Sequence, residues 1–562
     1  MSWRDGILRI YQERPEVSVL ILGGGINGMG LLRELALQGV DCLLVDRADF
    51  ASGATSKSSR MIHGGLRYLE QGDFRLVRES LRERNRLLEN APHTVAPLKT
   101  TIPLFSWLGG LLKTPLIFLG APLRPCGRGA AIVKLGLSFY DLVTRKDRRT
   151  PTHFFMSGTR ALREIPGLNP QIVAAATYWD ASIHQAERLC IELLQDARRE
   201  NPACHGLNYV GLEGLGTAGG DEGTVKLRDL PTGRIFPVRP RMVVNATGAW
   251  VDATNTALGV RTRFMGGTKG SHLVLDKKDL REALGDRMVY YEHNDGRVCI
   301  IFGFLDKVIM GSTDIPLEDP DEAACDEAEM AYMLETLQGV FPGVKVAPHE
   351  VVFKFCGVRP LPRTGEGIPG KVTRNHRIEV LESGALRPYP VHCLIGGKWT
   401  TFRALAEEAA GGILPALGRQ RMRSTAHEPI GGGRGFPSSD AQKAQWIKNS
   451  AAATGADAGR LSILLGRYGT RAEDCARRAG AGIRRPLESL PDHTAGEIEW
   501  IAENDFVVHL TDLVCRRTLI ALLGQARRQA LEEIAGIAGA VLGWDPVRRA
   551  AEVDLALREV AV

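Results

Sequence analysis

The stretch VSVLILGGGINGMGLLRELALQGVDCLLVD, residues 17–46, leaves this chain little freedom in how it can begin. Val17, Val19, Leu20, Ile21 and Leu22 form a short apolar run with the length and density of a strand buried on both faces. Gly23, Gly25 and Gly28 follow at Gly-x-Gly-x-x-Gly spacing. Gly23 permits a tight turn, Gly25 lets backbone approach a pyrophosphate, and Gly28 lets the next helix pack against the sheet. The start of that helix offers free N–H groups and a positive dipole end to phosphates. A second apolar strand, residues 42–45, ends in Asp46, placed to accept hydrogen bonds from a ribose 2′-hydroxyl and to disfavour a 2′-phosphate. Together these predict dinucleotide binding, exclude NADP, and leave NAD and FAD open.

At 562 residues the chain exceeds one hydrophobic core and predicts two or three domains. A net charge of +6 is a mild basic excess, compatible with anionic substrates or an anionic membrane surface. The run Arg145, Lys146, Arg148, Arg149 reads as a solvated loop, and no motif for nucleic acid accompanies it. Ten cysteines are scattered without a Cys-x-x-Cys pair or a histidine cluster, which argues against a disulfide framework and a metal site and suits a reducing cytoplasm. Residues 1–16 are charged and lack the apolar core of a secretory signal. The most apolar stretch, residues 103–123, is interrupted by Lys113 and by prolines and glycines. It suits an interfacial position beside Arg124 and Arg128 or an apolar cover of a domain, and does not suit a regular spanning helix.

Residues 74–93 read as a charged amphipathic helix, and AIVKLGLSFYDLVTR as another. A strand register near 174–179 precedes an amphipathic helix over 184–199. The strand ending in NATGAWVD runs into small residues that allow close approach to a ligand, although taken alone they read first as a tight turn without one. SHLVLD, MVYYEH, RVCIIFGF and KVIMGSTD suit an antiparallel meander carrying a substrate pocket. HCLIGGKWTTFRALAEEAAGGI repeats the order strand, glycine turn at Gly396 and Gly397, and helix from about Thr400. EPIGGGRGFPSS, residues 428–439, reads as a linker. Residues 440–562 are helical in pattern.

The series GGGINGMG, ASGATSKSSRMIHGGLRYLEQGDFRLVRESLRER, NATGAWVD, KGSH, GSTD, GVRPL and GGKWTTFR, in that order, resembles the FAD-dependent glycerol-3-phosphate dehydrogenase family within the D-amino-acid-oxidase-like flavoproteins. WIAENDFVVHLTDLVCRRT extends the resemblance into the C-terminal helices. It implies an α/β fold: a Rossmann-like FAD-binding domain (residues 1–90, 155–252 and 350–415), an antiparallel-sheet substrate domain (91–154 and 253–349) and a helical C-terminal cap domain (440–562).

The activity implied is oxidation of sn-glycerol 3-phosphate to dihydroxyacetone phosphate, with hydride passing from C2 to the flavin N5 and electrons going on to a quinone. The partners implied are a peripheral membrane surface on the cytoplasmic face and no nucleic acid, and a homodimer is allowed. Matched residue by residue, the FAD contacts fall on Gly23, Gly25, Gly28, Asp46, Thr55, Ser56, Ser59, Ala246, Gly248, Gly397 and Thr400. The substrate contacts fall on Arg67, Tyr68, His272, Arg359, Arg374 and Lys398, with Lys269 nearby.

The residue types fit this chemistry. A phosphate dianion needs several fixed donors, and arginine supplies a planar fork where lysine supplies a point charge. Oxidising a secondary alcohol needs a base for the hydroxyl proton; His272 is the first choice and His63 the second. Arg359 and Lys398 would stabilise developing negative charge. Two departures from the family pattern bear on the substrate: Gly303 and Phe304 stand where a Pro-Trp pair is common, and His184 and Gln185 follow YWDAS. A flavin oxidase, a dehydrogenase of another phosphorylated or carboxylated alcohol or amine, and a non-catalytic FAD-binding protein therefore stay open as alternatives.

Overall fold

The described residues of the computed structural model are 3–66, 73–109, 129–145, 148–216, 222–293, 295–363, 375–480, 483 and 485–562. Arg67, Tyr68 and Arg374, much of the 103–123 segment and Lys146 lie outside them.

The strand Glu16–Leu22 is the middle of a largely parallel sheet. It pairs with Cys42–Val45 on one side and with Ile235–Asn245 on the other, Leu22 lying opposite both Val45 and Asn245. Cys204–Leu207 extends the sheet beyond Cys42–Val45, and Val391–Ile395 extends it beyond Ile235–Asn245, both in parallel. The antiparallel strand Arg377–Leu381 forms one edge. Helices Ile26–Ala36, Ala186–Glu200 and Phe402–Ala416 cover one face, where Met29, Leu32, Leu189, Leu193, Ala409 and Ile413 share a core. The other face is covered by a small antiparallel ribbon, Val210–Leu215 with Val225–Asp229, and by the helix Trp3–Glu13. Burial on both faces is why residues 19–22 carry no polar side chain.

The helix Trp3–Glu13 was not expected from sequence, where residues 1–16 read only as a charged stretch without the apolar core of a secretory signal. Arg4 explains it: the guanidinium is buried, paired with Asp229, and donates to the Asn208 carbonyl at 2.7 Å.

Ten strands among the described residues make the second sheet. Thr268–Leu275 lies between Lys307–Gly311 and Val351–Arg359, and Val298–Phe304 and Arg287–Glu292 continue outward from Lys307–Gly311. Val95–Leu104 and Ala174–Ile183 follow, and every pairing is antiparallel except Arg287–Glu292 with Val95–Leu104. Thus Ala174–Ile183 and Val351–Arg359, from segments that sequence assigned to the cofactor-binding domain, pair in this second sheet. A buried strand reads the same in either sheet, and only its distant partner decides which it joins.

The C-terminal region is helical, as expected. Ser439, Asp457, Thr494 and Asp545 cap the starts of four of its helices by accepting backbone N–H groups. Leu461, Leu464, Ile498, Ile501, Leu531 and Ile534 lie in its core. The glycine-rich stretch before it is not a loose linker: Ile430 and Gly431–Gly433 are buried, and the Ile430 N–H donates to the Asn90 carbonyl at 2.8 Å.

Candidate functional site

The parallel strands of the first sheet all point their C-terminal ends to one side, where α/β sheets bind ligands. Leu22, Val45, Asn245 and Ile395 lead there into the turns at residues 23–25, 46–59, 246–250 and 396–400. A cavity of about 640 Å³ runs from these turns to the second sheet. Its walls include Gly23, Gly25, Asp46, Thr55, Ser59, Ala246, Gly248, Gly397, Lys398 and Thr400 from these turns, His63 from the loop that follows the second of them, and His272 and Arg359 from the second sheet.

The glycine turn is close-packed. A Cβ on Gly28 would lie 1.9 Å from the Gly23 carbonyl oxygen, so Gly28 supports the turn from behind and does not line the cavity. Gly23 has φ +108°, and its hypothetical Cβ would be 2.6 Å from the Ala246 carbonyl oxygen. Thr55 folds back over the helix start and its Oγ1 accepts the Ile26 N–H at 3.0 Å. Ser56 faces away from the cavity walls, its hydroxyl donating to the Ser52 and Gly53 carbonyls. Asp46 accepts the Gly24 N–H at 2.7 Å and the Ala48 N–H at 2.9 Å, which leaves each carboxylate oxygen a further lone pair for a ligand hydroxyl. Burial pushes its carboxyl up to about 6, against the pull of those two N–H groups.

At the far end, His272 is buried and stacked on Phe355, with ring centroids 4.9 Å apart and 9° between planes. Its Nε2 lies 2.8 Å from Ser59 Oγ, while Nδ1 has no hydrogen-bond partner among the described residues. Burial first, then the cations Arg359 and Arg60, push the imidazole down to about 3, so the ring is neutral at neutral pH. The alternation of Thr268–Leu275 turns Gly270 and His272 to the cavity and Lys269 and Ser271 to the other side. There Lys269 binds Glu329 at 2.8 Å, so it does not join Arg359 and Lys398 as expected.

Arg359 reaches across Gly270, where a Cβ would meet its guanidinium at 2.2 Å. Nη1 donates to Asp314 at 3.0 Å and to the Lys269 carbonyl at 3.2 Å; Nη2 donates to Ser312 Oγ at 2.8 Å and to the Thr313 carbonyl at 2.9 Å. Sequence singled out Arg359 as a phosphate fork but missed Asp314, whose only signal was its place in GSTD. Lys398 donates to Ser80 Oγ at 3.0 Å. Thr400 Oγ1 accepts the His63 N–H at 3.2 Å, which ties the second glycine turn to the loop after Asp46.

Asn27, Lys57, Trp250 and Trp399 also line the cavity and were not foreseen. Asn27 occupies a free position of the glycine spacing, and its buried Oδ1 is an acceptor without a partner among the described residues. Gly303, Phe304 and His184 are not among the cavity walls. Phe304 packs with Leu98, Ile300 and Phe302, and its ring lies over the Arg60 guanidinium. The departure that cast doubt on the substrate therefore does not alter the described pocket wall.

The cavity fits FAD: a glycine cradle where side chains have no room, a buried carboxylate with lone pairs to spare, an unsatisfied acceptor on the first helix, and length enough to reach a second sheet. No helix among the described residues is long and apolar enough to cross a membrane, and they hold no cluster of metal-binding side chains.

Residues 18–382 match the family described as FAD dependent oxidoreductase, and residues 423–549 match the C-terminal domain of alpha-glycerophosphate oxidase. A glycerol-3-phosphate dehydrogenase of Synechocystis is 32% identical over 530 residues, covering 91% of this chain and 90% of that protein. D-erythritol 1-phosphate dehydrogenase of Brucella abortus is 30% identical over 546 residues, covering 93% and 98%. The glycerol-3-phosphate dehydrogenase of Bacillus halodurans, solved with FAD, shares the fold with a TM-score of 0.76 at 21% identity, over 100% of this chain and 97% of that one. The chain belongs to the glycerol-3-phosphate dehydrogenase family of FAD-dependent oxidoreductases.

Proposed function

We propose that this flavoprotein oxidises sn-glycerol 3-phosphate to dihydroxyacetone phosphate and passes the electrons to a quinone at a membrane surface. The observation that carries this reading is one cavity joining the glycine turn and Asp46 to His272, Arg359 and Lys398. The names of the relatives supply the substrate.

FAD, when bound, supplies the two-electron acceptor for the hydride leaving C2. The chain does the rest. Lys398 attracts the phosphate, and Arg359, whose Nη groups already donate to Asp314, Ser312 and two backbone carbonyls, adds positive potential to the cavity wall. A proton on His272 Nδ1 leaves Nε2 as the acceptor, and the substrate hydroxyl passes its proton there directly or through Ser59 Oγ. An imidazole near 3 is a weak base. Part of its depression comes from Arg359, however, and a phosphate dianion beside that cation offsets it. His272 thus gains proton affinity when substrate is in place.

The membrane reading rests on the helix Ala130–Thr144, which exposes Leu135, Phe139 and Leu142 along one face, Leu135 being 75% and Leu142 63% exposed. Phe74 meets Phe139 edge-on at 5.3 Å, and Trp107 and Leu108 are exposed. Exposed Arg75, Arg78 and Arg82 on the helix Phe74–Asn90 add positive charge. Apolar side chains beside cations suit an anionic lipid interface.

The similarity to D-erythritol 1-phosphate dehydrogenase favours a second reading, a longer polyol phosphate in the same cavity. Steady-state reduction of a quinone analogue by a panel of polyol phosphates tests both. The highest kcat/KM with glycerol 3-phosphate supports the first, the highest with a four-carbon phosphate supports the second, and no turnover with any of them overturns both.

A further inference from the structure

The C-terminal helices reach back to the cofactor loop at one point. Asp49 stands three residues after Asp46 and its side chain is wholly buried. The Arg517 guanidinium grips it as a fork, Nη1 donating to Oδ2 at 2.6 Å and Nη2 to Oδ1 at 2.8 Å. Arg516 Nε donates to the same Oδ2, and Asn208 Nδ2 donates to Oδ1 at 2.8 Å. Burial alone would raise the Asp49 carboxyl, but Arg517 and then Arg516 override it and hold it far below the usual carboxylate range.

The arginines are themselves fixed. Arg517 Nε donates to the Asp505 carbonyl at 2.7 Å, Arg188 pairs with the Asp505 carboxylate, and Arg516 Nη2 donates to Asp512 at 3.1 Å. Phe506 extends the grip by meeting Phe50 edge-on at 6.0 Å.

Asp49 and Phe50 lie directly under the nucleotide turn. The Ala51 N–H donates to the Gly24 carbonyl at 3.0 Å, and a Cβ on Gly24 would come within 2.6 Å of the Phe50 ring. From there the loop runs along the cavity as Ser52, Gly53, Ala54 and Thr55. The same C-terminal stretch continues through Leu519, Leu522 and Leu523, which pack with Phe353 and Phe355, the latter being the ring beneath His272.

We propose that the Arg516–Arg517 pair of TDLVCRRT makes the C-terminal domain a part of the cofactor site: through Asp49 these two positioning residues hold residues 49–55 in the shape that retains FAD. The domain is then a brace joining the flavin loop to the strand behind His272. This rests on the reading of the cavity as the FAD site. Removing Arg517 leaves the buried Asp49 carboxylate to Arg516, which it shares with Asp512, and that weakened pairing sits at the start of the loop that lines the cavity.

The test compares flavin release from the purified holoenzyme, read by the rise in free-flavin fluorescence on dilution, for Arg517→Gln and for Leu531→Ala. Leu531 is wholly buried in the helical core and is not one of the side chains that grip Asp49. Arg517→Gln is expected to speed release by roughly tenfold or more. Leu531→Ala, although it lowers Tm, should release flavin at the wild-type rate. Arg517→Lys keeps the charge but loses the fork and should fall between. Wild-type release from Arg517→Gln, or equal acceleration in Leu531→Ala, overturns the proposal. If Arg517→Gln does not fold, Asp49→Asn and Arg516→Gln are read by the same criteria. A wild-type protein that retains no FAD would instead overturn the assignment of the cavity.

Discussion

Adding one methyl group at Gly28 tests the physical reading of the nucleotide turn. Its Cβ would lie 1.9 Å from the Gly23 carbonyl oxygen and 3.2 Å from the Gly23 carbonyl carbon. Non-bonded atoms settle at about 3.5 Å, so the turn and the helix Ile26–Ala36 must separate by more than about 1 Å. Neither is free to move, because the helix is buried from Met29 to Ala36 and Gly23 abuts Ala246. Overpacking of this kind costs about 1–3 kcal/mol. The strain falls on the turn that we propose receives the pyrophosphate, so Gly28→Ala should weaken FAD binding by about 10- to 100-fold. Gly23→Ala should cost more, since it adds a positive φ to its own clash. Gly536, inside the helix Arg528–Leu542, has nothing within 4 Å of its hypothetical Cβ. There Gly→Ala should stabilise by about 0.5–1 kcal/mol and leave the flavin untouched. FAD titration of the apoprotein and thermal melts measure both. If Gly28→Ala binds FAD within about threefold of the wild type, the reasoning from close packing is refuted.

The Asp46 carboxyl, raised to about 6 by burial, favours its protonated form below that pH. Its stabilising contribution is therefore full below about pH 4 and lost as pH rises through about 6. A ribose hydroxyl donating to the carboxylate favours ionisation, so FAD affinity should tighten with pH by up to about tenfold per unit below 6, and Asp46→Asn should flatten that dependence. His272→Asn should lower kcat by about 10²- to 10⁴-fold with flavin content unchanged, and equal turnover would remove His272 from the chemistry. Replacing Leu135, Phe139 and Leu142 by serine should reduce co-sedimentation with anionic vesicles while leaving dye-linked turnover intact. Unchanged sedimentation would move the membrane contact elsewhere.

Local rules made the beginning of the fold legible. Burial of residues 19–22, the glycine spacing and the acid at 46 are each dictated within a few residues, and the structure places them together. Lys269 was legible in principle, since the alternation of a strand puts it on the face opposite His272. The surroundings of Arg359 were not. An arginine before a proline says nothing of Asp314 and Ser312, which pairing across the second sheet brings to its guanidinium. Helix Trp3–Glu13 was hidden for the same reason, because Arg4 is apt for burial only once Asp229 and Asn208 stand beside it. Asp49 and Arg517, 468 positions apart, carry no sequence signal of one another. Phe304 looked like a pocket wall because the motif carrying it was read without the layer in which it packs.

The most direct measurement is anaerobic titration of the purified flavoprotein with sn-glycerol 3-phosphate, following flavin absorbance and product together. Bleaching of the oxidised flavin, with dihydroxyacetone phosphate formed in equal amount and the rate of bleaching lowered by about 10²- to 10⁴-fold in His272→Asn, is the predicted result. A flavin that stays oxidised with glycerol 3-phosphate, while the protein retains its FAD, would contradict the account.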